Sequence, residues 1–440
     1  MKERKAEENM KIKRMIAVVL MVLLILSGCA PEENEVISQN TNKIPDTQQS
    51  SGNPAVAPEE QMNPTPEATT PENNTQTPTE NEPQKTPETP ANPETPTPSE
   101  PTPTPDTPTQ SDPTVVDLSK DVRYFGRTYE DNGTYWFSWT AAGFEFTFNG
   151  TGAEAILETD SNGDEHTAYI RIYVDGKAQG RDIAIVDSMQ TVTLAKGLRK
   201  GVHTVRVVKR TNARSASLGL MDLTLAKGTT IQTPPTAKER RIEFVGDSIT
   251  VGYGVLGNAS TDAWSTKTED GTKTYAALAG DALNAEYNVI AISGRGLAHN
   301  TSGDTDKLMP YLYTRTEEYR NAGAMWDFKK FQPHVIVINL GTNDHKNSTA
   351  GEVTAATTAF LKTVRKNNPS AIIIFAYGMM GNTHEDAIKA GISACGDNKI
   401  SFLKLKNAVN RVIGHPDAVS HQENAKILEA EIRKLTGWKN

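Results

Sequence analysis

Cysteine is scarce in this sequence, since Cys29 and Cys395 are the only two among 440 residues. Cys29 follows an apolar N-terminal segment, which leaves Cys395 alone, so we expect no disulfide within the mature chain. Zinc sites built on cysteine need closely spaced pairs, and the sequence contains none. The histidine spacings do not indicate a metal site either. We therefore predict neither a metal nor another cofactor.

An excess of positive charge is also missing. Lys and Arg number 46 against 54 Asp and Glu, which gives a formal net charge of −8. Proteins that bind nucleic acid usually carry a basic surface, and nothing in this composition predicts one. The composition therefore excludes nucleic acid as an expected partner.

The N-terminal apolar run is shorter than a membrane span requires. It extends from Met15 to about Leu26, whereas a spanning helix needs roughly 20 residues. Three basic residues at positions 11–14 precede it, and a basic start before a short apolar stretch is typical of a secretory signal. The run ends in "LSGC", which closes with Cys29 and resembles the lipobox of bacterial lipoproteins.

The lipobox resemblance implies that the signal is cut before Cys29 and that this cysteine carries a lipid. The predicted signal peptide then covers residues 1–29, and we expect the mature protein to be anchored on the extracellular face of a bacterial cell membrane. The alternative is an ordinary signal peptide followed by a chance cysteine. Met10 is an alternative start of the chain.

The segment after the signal lacks aromatic residues. Nineteen of the 25 prolines lie between Pro31 and Pro113, and this stretch contains no Phe, Trp or Tyr. Such a segment cannot bury enough apolar surface to offset the entropy lost on ordering. We predict a disordered, extended linker over residues 30–114.

The next region has the pattern of β-strands. Four runs alternate apolar and polar residues and end in glycine or charged turns. Period-2 alternation with regularly spaced turns predicts an antiparallel, jelly-roll-like β-sandwich domain over residues 115–233. The four runs are Phe144–Gly150, Ala168–Gly176, Gln190–Gly197 and Val202–Arg210.

The pattern changes after Pro234 and Pro235, where apolar runs begin to alternate with helix-like stretches. This order predicts a three-layer α/β/α domain over residues 238–440, with a five-stranded parallel sheet covered on both faces. The apolar runs are Ile242–Val245, Val289–Ile292, Val335–Ile338, Ala371–Ala376 and Ile400–Leu405, and the helical stretches are Tyr275–Asn284, Val353–Lys366, Glu385–Ala394 and Gln422–Leu435.

Residues whose side chains or backbone can take part in catalysis follow the apolar runs. Ser248 comes after the first run, Gly294 after the second and Asn343 after the third, while His415 and His421 lie near the C-terminus. Ligands of parallel sheets bind beyond the carboxyl ends of the strands, so we expect these residues to gather there. A serine hydroxyl becomes an effective nucleophile when an imidazole accepts its proton. The N–H groups of Ser248 and Gly294 and the Asn343 amide are then candidate oxyanion donors.

The blocks "GDS", "SGRG", "GTND" and "HPDAVSH" occur in this order over residues 240–440, and the chain resembles the SGNH, or GDSL-type, hydrolases. The preceding sandwich domain, "FVGDSIT" and the terminal "HP" make it most similar to carbohydrate esterase family 2. The resemblance implies a serine esterase that removes O-acetyl groups from polysaccharide of the xylan or glucomannan type. We expect it to be a monomer.

The catalytic histidine is assigned here by the family spacing, in which many members carry an Asp three residues before it. Taking His421 as that histidine puts Ala418 at the Asp position and Asp417 one residue further away. The resemblance then implies a Ser248–His421 dyad, oriented either by a backbone carbonyl near His415 or by Asp417. His415 has this supporting role or a structural one.

Other functional readings stay open at this point. The protein is either an esterase or a surface lipoprotein that binds glycans without catalysis, and the complete set of four blocks favours the esterase. Among esterases, one acting on peptidoglycan or on other O-acyl groups is the rival. Trp264 and Trp326 are candidates for a sugar-binding cleft or for the core, and Asp247 is expected to cap the helix after the first strand.

Overall fold

The computed structural model describes residues 116–439, apart from positions 162, 164, 165, 322 and 345. The predicted signal peptide, Cys29 and the linker over residues 30–114 lie outside the described part of the chain. Both predicted domains lie almost entirely within it.

Short strands make up the first domain. Within the described residues they are β1 (Arg123–Phe125), β2 (Thr128–Asp131), β3 (Thr134–Phe137), β4 (Gly143–Asn149), β5 (Ala153–Thr159), β6 (Ala168–Val174), β7 (Lys177–Ala178), β8 (Ile183–Ile185), β9 (Met189–Ala195), β10 (Val202–Lys209), β11 (Leu218–Leu225) and β12 (Thr230–Gln232).

These strands form two antiparallel sheets that share one core. The first sheet has the order β1-β4-β10-β6-β7, with β12 beside β4 and β8 beside β6, and the second has the order β2-β3-β11-β5-β9. Alternate side chains of a strand point to the same face, and Phe144 and Val207 of the first sheet share a buried cluster with Phe137, Leu157 and Leu218 of the second. The predicted sandwich is confirmed.

The second domain alternates strands and helices. Its strands are β13 (Arg240–Gly246), β14 (Ala285–Ala291), β15 (Val335–Asn339), β16 (Ile372–Tyr377), β17 (Ile400–Lys404), β18 (Arg411–Val412) and β19 (His415–Pro416). Its α-helices are α1 (Ser248–Val251), α2 (Tyr275–Ala282), α3 (Met309–Leu312), α4 (Ala350–Asn367), α5 (Glu385–Cys395) and α6 (Ala418–Thr436), and short 3₁₀ turns cover Thr266–Thr268, Gly271–Lys273 and Phe328–Lys330.

Five parallel strands form the sheet of this domain, in the order β14-β13-β15-β16-β17. Successive residues of β13 face opposite sides of the sheet, so Val245 joins the buried cluster that contains Phe360 of α4, while Phe244 joins the one that contains Leu428 of α6. Helix α4 packs against α5, and α2 packs against α6. The predicted three-layer α/β/α arrangement is confirmed.

A buried arginine joins the two domains. Arg127, between β1 and β2, lies 3.4 Å from the carboxylate of Glu243 on β13 and donates to the carbonyl oxygen of Tyr313 at 2.6 Å. Its guanidinium also lies 5.2–5.4 Å from the ring centroids of Tyr313, Trp326 and Phe328. Loss of this arginine would leave the Glu243 carboxylate buried without its cation, which is strongly destabilising.

The helices of the second domain pack against its sheet and against one another. Helix α4 begins with a capping box, in which the Thr349 hydroxyl and the Glu352 carboxylate each accept a backbone hydrogen bond from the other residue. Within the described residues, none of the helices combines the length and the apolar character that a membrane crossing needs.

Candidate active site

The carboxyl ends of three adjacent strands bring the first three sequence blocks together. The last residue of β13 is paired with the last residue of β14 on one side and with the last residue of β15 on the other. Ser248, Gly294 and Asn343 each follow one of these strand ends by two to four residues. The sheet register therefore places the three residues at one edge, as the sequence analysis expected.

The turn after β13 fixes the position of Ser248. Asp247 caps α1, because its carboxylate accepts a hydrogen bond from the N–H of Ile249 at 3.0 Å, and this confirms its expected capping role. Gly246 has no room for a side chain, since a Cβ there would lie 2.0 Å from the Thr250 hydroxyl oxygen. Burial raises the pKa of Asp247 to about 7. Ser248 itself is 6% exposed, at the first position of α1.

A two-residue hairpin presents His415. Val412 and His415 are paired across the loop, and the intervening Ile413 and Gly414 have φ angles of 50° and 74°. Positive φ at both central positions is the geometry of a type I′ turn, which suits glycine and strains a β-branched residue. The N–H of Ile413 donates to the carbonyl oxygen of Ala259 at 3.2 Å, which helps to hold this conformation.

His415 is the histidine that contacts the serine. Its Nε2 lies 2.8 Å from Ser248 Oγ, and its Nδ1 lies 3.1 Å from the carbonyl oxygen of Ile413. Because a carbonyl can only accept, Nδ1 carries the hydrogen and Nε2 presents its lone pair to the serine hydroxyl. Burial lowers the pKa of His415, with Arg411 adding to the effect and the Ile413 hydrogen bond opposing it. The ring is therefore neutral at neutral pH and can accept the serine proton.

The predicted pairing of Ser248 with His421 is wrong. His421 is 1% exposed, and its Nδ1 accepts a hydrogen bond from the N–H of Tyr275 at 3.1 Å. Tyr275 begins α2, so His421 satisfies one of the N–H groups that a helix N-terminus leaves without a partner. The two rings are also stacked, with centroids 6.2 Å apart. His421 therefore stabilises the packing of α2 against α6, and the position of the base belongs to His415.

Asp417 also has a structural place. Its carboxylate accepts a hydrogen bond from the N–H of Ser420 at 2.8 Å, which makes it the N-cap of α6.

Two signals in the sequence could have corrected the histidine assignment. The spacing from Asp417 to Ser420 is typical of a helix start, which puts His421 inside the helix, and the residue before Pro416 is biased towards an extended backbone. A backbone carbonyl does orient a histidine, but that histidine is His415 and not His421 as predicted, and the carbonyl is that of Ile413.

Of the oxyanion donors predicted from the sequence, Asn343 contacts the serine turn through Asp247. Gly294 has a φ of 83°, which suits a glycine. The amide Nδ2 of Asn343 donates to the Arg295 carbonyl at 2.8 Å and to the Asp247 carboxylate at 3.3 Å. The second contact is longer than the ordinary hydrogen-bond range, so we expect this N–H to donate its hydrogen bond instead to an oxyanion formed at Ser248.

Sequence reasoning missed the role of Asp344. This buried carboxylate accepts hydrogen bonds from the N–H groups of residues 297–299, at 2.7–3.0 Å. It therefore anchors the loop that follows Gly294 onto the loop that follows β15. The signal was present in the "GTND" block, where Asp344 stands directly after Asn343.

Aromatic rings flank the histidine on one side. The ring centroid of Tyr253 lies 4.4 Å from that of His415, and Trp264 is stacked on Tyr253 at 5.4 Å. Trp264 therefore stands near the site, as the cleft interpretation required. Trp326 does not, because it is 6% exposed and packs under Arg127 in the domain junction.

The assembled groups supply the chemistry of acyl transfer. Ser248 can act as a nucleophile and neutral His415, in contact with it, as its base. Gly294 and Asn343 stay the predicted oxyanion donors. In the part of the chain that the structure describes, no three His, Cys, Asp or Glu side chains are grouped so as to hold a metal ion.

Two family models match the two domains. "Carbohydrate esterase 2 N-terminal" matches residues 124–235, and "GDSL-like Lipase/Acylhydrolase family" matches residues 244–421. The matches follow the order that the sequence blocks predicted, with the sandwich first and the hydrolase second.

Characterised relatives extend over both domains. The chain is 33% identical over 316 residues to cellulase/esterase CelE of Acetivibrio thermocellus, covering 68% of this chain and 38% of CelE, so it spans well under half of that protein. It is 30% identical over 331 residues to an acetylxylan esterase / glucomannan deacetylase of Cellvibrio japonicus, covering 69% of this chain and 87% of the relative.

A solved structure agrees with these relatives. A family two carbohydrate esterase from Clostridium thermocellum, in complex with cellohexaose, matches with a TM-score of 0.68 and 30% identity over 72% of this chain and 100% of the other. Both domains and the catalytic blocks fall within these matches. The chain belongs to carbohydrate esterase family 2.

Proposed function

We propose that this protein is a lipid-anchored serine esterase of the bacterial cell surface that removes O-acetyl groups from polysaccharide of the xylan or glucomannan type. The observation that carries the proposal is the 2.8 Å contact between Ser248 Oγ and His415 Nε2 at the carboxyl edge of the parallel sheet. It provides a nucleophile and a base in hydrogen-bond contact, next to oxyanion donors.

The first half of the reaction transfers the acetyl group to the protein. Ser248 Oγ attacks the acetyl carbonyl carbon while His415 Nε2 takes the hydroxyl proton. The carbonyl oxygen becomes an oxyanion that accepts hydrogen bonds from the N–H groups of Ser248 and Gly294 and from the Asn343 amide. The bond from the acetyl carbon to the sugar oxygen then breaks, and His415 returns its proton to that oxygen. The products are the deacetylated sugar and acetyl-Ser248.

The second half regenerates the serine. His415 Nε2 takes a proton from water as the water oxygen attacks the acetyl carbon, and a second oxyanion forms on the same donors. Collapse of this intermediate releases acetate, and Ser248 Oγ regains its proton from His415. Throughout both halves the Ile413 carbonyl accepts a hydrogen bond from the Nδ1–H of His415, which keeps the imidazole in the required tautomer.

The relatives support the polysaccharide substrate. One is named for acetylxylan esterase and glucomannan deacetylase activity, and the solved relative is in complex with cellohexaose. The stacked pair of Tyr253 and Trp264 adds aromatic surface beside His415, of the kind that packs against sugar rings.

The location is supported by the N-terminal sequence. "LSGC", ending at Cys29, follows a basic start and a short apolar run. An extended linker over residues 30–114 would reach on the order of 260 Å, at about 3.1 Å per residue. A domain tethered in this way can act on polymers at a distance from the membrane.

Acetate release tests the substrate. Purified protein should release acetate from acetylated xylan or acetylated glucomannan, and Ser248→Ala should release none. Release from O-acetylated peptidoglycan alone would replace the substrate class. A wild-type protein that binds the glycans but cleaves neither them nor 4-nitrophenyl acetate would instead be a binding protein.

Fractionation tests the anchor. Cys29→Ala should leave the protein unprocessed or release it from the membrane fraction, because stable anchoring needs the attached lipid chains. If the variant is processed and fractionates like the wild type, the anchor is excluded.

A truncated protein that begins at residue 113 should match the full chain in turnover of 4-nitrophenyl acetate, and a large drop in kcat would mean that the linker contributes to the fold.

A further inference from the structure

The loop after β10 belongs to the sandwich domain and contacts the hydrolase domain at the edge of the candidate active site. This loop, residues 210–217, is held from within its own domain. The buried Lys209 donates from Nζ to the carbonyl oxygens of Thr211 and Asn212, each at 2.8 Å, and the N–H of Ser215 donates to the Asn212 carbonyl at 3.0 Å. Asn212 therefore has a fixed backbone.

Asn212 contacts the hydrolase domain through two groups. Its Nδ2 donates to Ser293 Oγ at 2.9 Å, and its backbone N–H donates to the Glu269 carboxylate at 3.1 Å. Its Oδ1 accepts a hydrogen bond from the N–H of Arg214 at 3.2 Å, which fixes the orientation of the amide so that Nδ2 faces Ser293. The residue is 2% exposed, so water does not easily replace these bonds.

Ser293 stands directly before Gly294, and the peptide that joins them carries the Gly294 N–H. Rotation of this peptide would turn the N–H away from the oxyanion. The far side of Gly294 is held by a hydrogen bond from the N–H of Thr301 to its carbonyl oxygen, at 2.9 Å. Gly294 has no side chain to restrict its own rotation. A hydrogen bond to the Ser293 hydroxyl can therefore restrain the backbone on the N-terminal side of the Gly294 N–H.

We propose that Asn212 is a positioning residue for ester hydrolysis. Through its hydrogen bond to Ser293 it fixes the direction of the Gly294 N–H, so the sandwich domain contributes to oxyanion stabilisation without touching the substrate. This inference rests on the proposed serine-esterase function. It gives the first domain a part in the chemistry, beyond any binding of glycan.

The test is a double-mutant cycle in the full-length protein with 4-nitrophenyl acetate as the probe. Asn212→Ala and Ser293→Ala should each lower kcat by about fivefold to fiftyfold with KM within about twofold, because a donor that acts in the transition state becomes misaligned. The double variant should be no slower than the slower single variant, since both changes remove the same hydrogen bond. Losses that multiply would overturn the proposal.

Ser215→Ala is the matched control. The Ser215 hydroxyl donates to the Glu269 carboxylate at 3.2 Å, so it crosses the same domain boundary without contacting Ser293. Its loss should lower the Tm about as much as Asn212→Ala does, while kcat stays within about twofold of wild type. An equal loss of kcat would mean that a loosened boundary explains the effect, and the proposal would fail.

Two further outcomes are decisive. If Asn212→Ala does not fold, Ser293→Ala still removes the bond from the hydrolase side, and an unchanged kcat in that variant overturns the proposal. If the wild-type protein hydrolyses no ester, the proposed function fails and this inference fails with it. If the wild-type protein is active but the kcat losses of the two single variants multiply in the double variant, only this inference is contradicted.

Discussion

The β18–β19 hairpin and the first turn of α6 are consecutive in the chain, and each holds one histidine, His415 partly buried and His421 buried. In the hairpin, His415 has Nδ1 on the Ile413 carbonyl and Nε2 at the Ser248 hydroxyl. In the helix, His421 has Nδ1 on the N–H of Tyr275. Burial lowers the pKa of both rings, so both are neutral at neutral pH.

The difference between the two regions lies in the partners of the rings. A carbonyl on Nδ1 fixes the tautomer that leaves Nε2 as an acceptor, and a hydroxyl then offers it a proton. A backbone N–H on Nδ1 fixes the opposite tautomer and offers no proton that can be transferred. A neutral imidazole is therefore a base only when one ring nitrogen donates to an acceptor, such as a backbone carbonyl, and the other faces a hydroxyl that can give up its proton.

The largest expected effect separates the two histidines directly. His415→Ala should lower kcat/KM by at least about a thousandfold, and Ser248→Ala and the double variant should be similarly inactive because the two residues act as a unit. His421→Asn, which places an acceptor near the position of Nδ1, should stay within about threefold of wild type. Kinetics with 4-nitrophenyl acetate measure both, and a comparable loss in His421→Asn would restore it as the base.

Removal of the Asn343 amide should come next. Asn343→Ala should lower kcat by about a hundredfold with little change in KM, because the Asn343 amide donates a hydrogen bond to the oxyanion of the transition state. Asn347→Ala is the matched control, since the Asn347 amide also contacts a carbonyl oxygen, that of Asn300, on the neighbouring loop. It should stay within about threefold. Equal losses in the two variants would point to loop packing and not to a donor.

The pH dependence of kcat/KM should report the hairpin histidine. Protonated His415 cannot accept the serine proton, so activity should fall about tenfold per pH unit below its pKa, which burial holds below the ordinary value of 6.5. Activity should already be level at neutral pH. The His421→Asn variant should show the same inflection, and a shift of the inflection in that variant would contradict the assignment.

The helix histidine should show itself in stability at acid pH. Burial lowers the pKa of His421 to about 3, against 6.5 for an ordinary histidine, so between these values the unfolded chain binds a proton that the folded chain does not. Its contribution to the free energy of unfolding is present above pH 6.5 and falls by up to several kcal/mol as the pH drops towards 3.

His421→Asn should remove this term. Denaturant unfolding at a series of pH values should show a shallower acid decline for the variant than for wild type, while contributions from other groups, such as Asp247, cancel in the difference. Parallel curves for the two proteins would mean that the His421 environment is more open than the structure shows.

The smallest effect concerns the residue between the two regions. Asp417→Ala should lower the free energy of unfolding by about 1 kcal/mol through loss of the α6 cap, and kcat/KM should change by less than about threefold. Asp417→Asn keeps a good capping residue and should restore most of the stability. A thousandfold loss of activity in a folded Asp417→Ala protein would indicate a carboxylate that orients the base.

Periodicity predicted most of the fold because its signals are local. The apolar runs that became β13 to β17 and the helical stretches that became α2, α4, α5 and α6 lie within a few residues of their observed bounds. The first three catalytic blocks could be placed as well, since the residues after parallel strands must share one edge.

The features that escaped prediction depend on tertiary contacts. The left-handed Ile413 contradicts local preference, because a β-branched residue avoids positive φ, and contacts such as the Ala259 carbonyl are needed to hold it. The bond from Asn212 to Ser293 joins residues 81 apart in two domains. A rule based on spacing to an acidic residue chose the wrong histidine for the same reason, since it ignored where the backbone turns.

The orienting carbonyl of Ile413 also shapes how this protein can vary over evolutionary time. A carboxylate in that position could be lost by a single codon change, whereas every amino acid carries a backbone carbonyl. Replacements at 413 are therefore filtered by conformation, and residues that accept positive φ, such as Gly, Asn and Asp, preserve the turn. An alanine scan of residues 411–417 would then single out His415 and overlook its partner. Insertion or deletion of one residue in the loop is the change that would expose it.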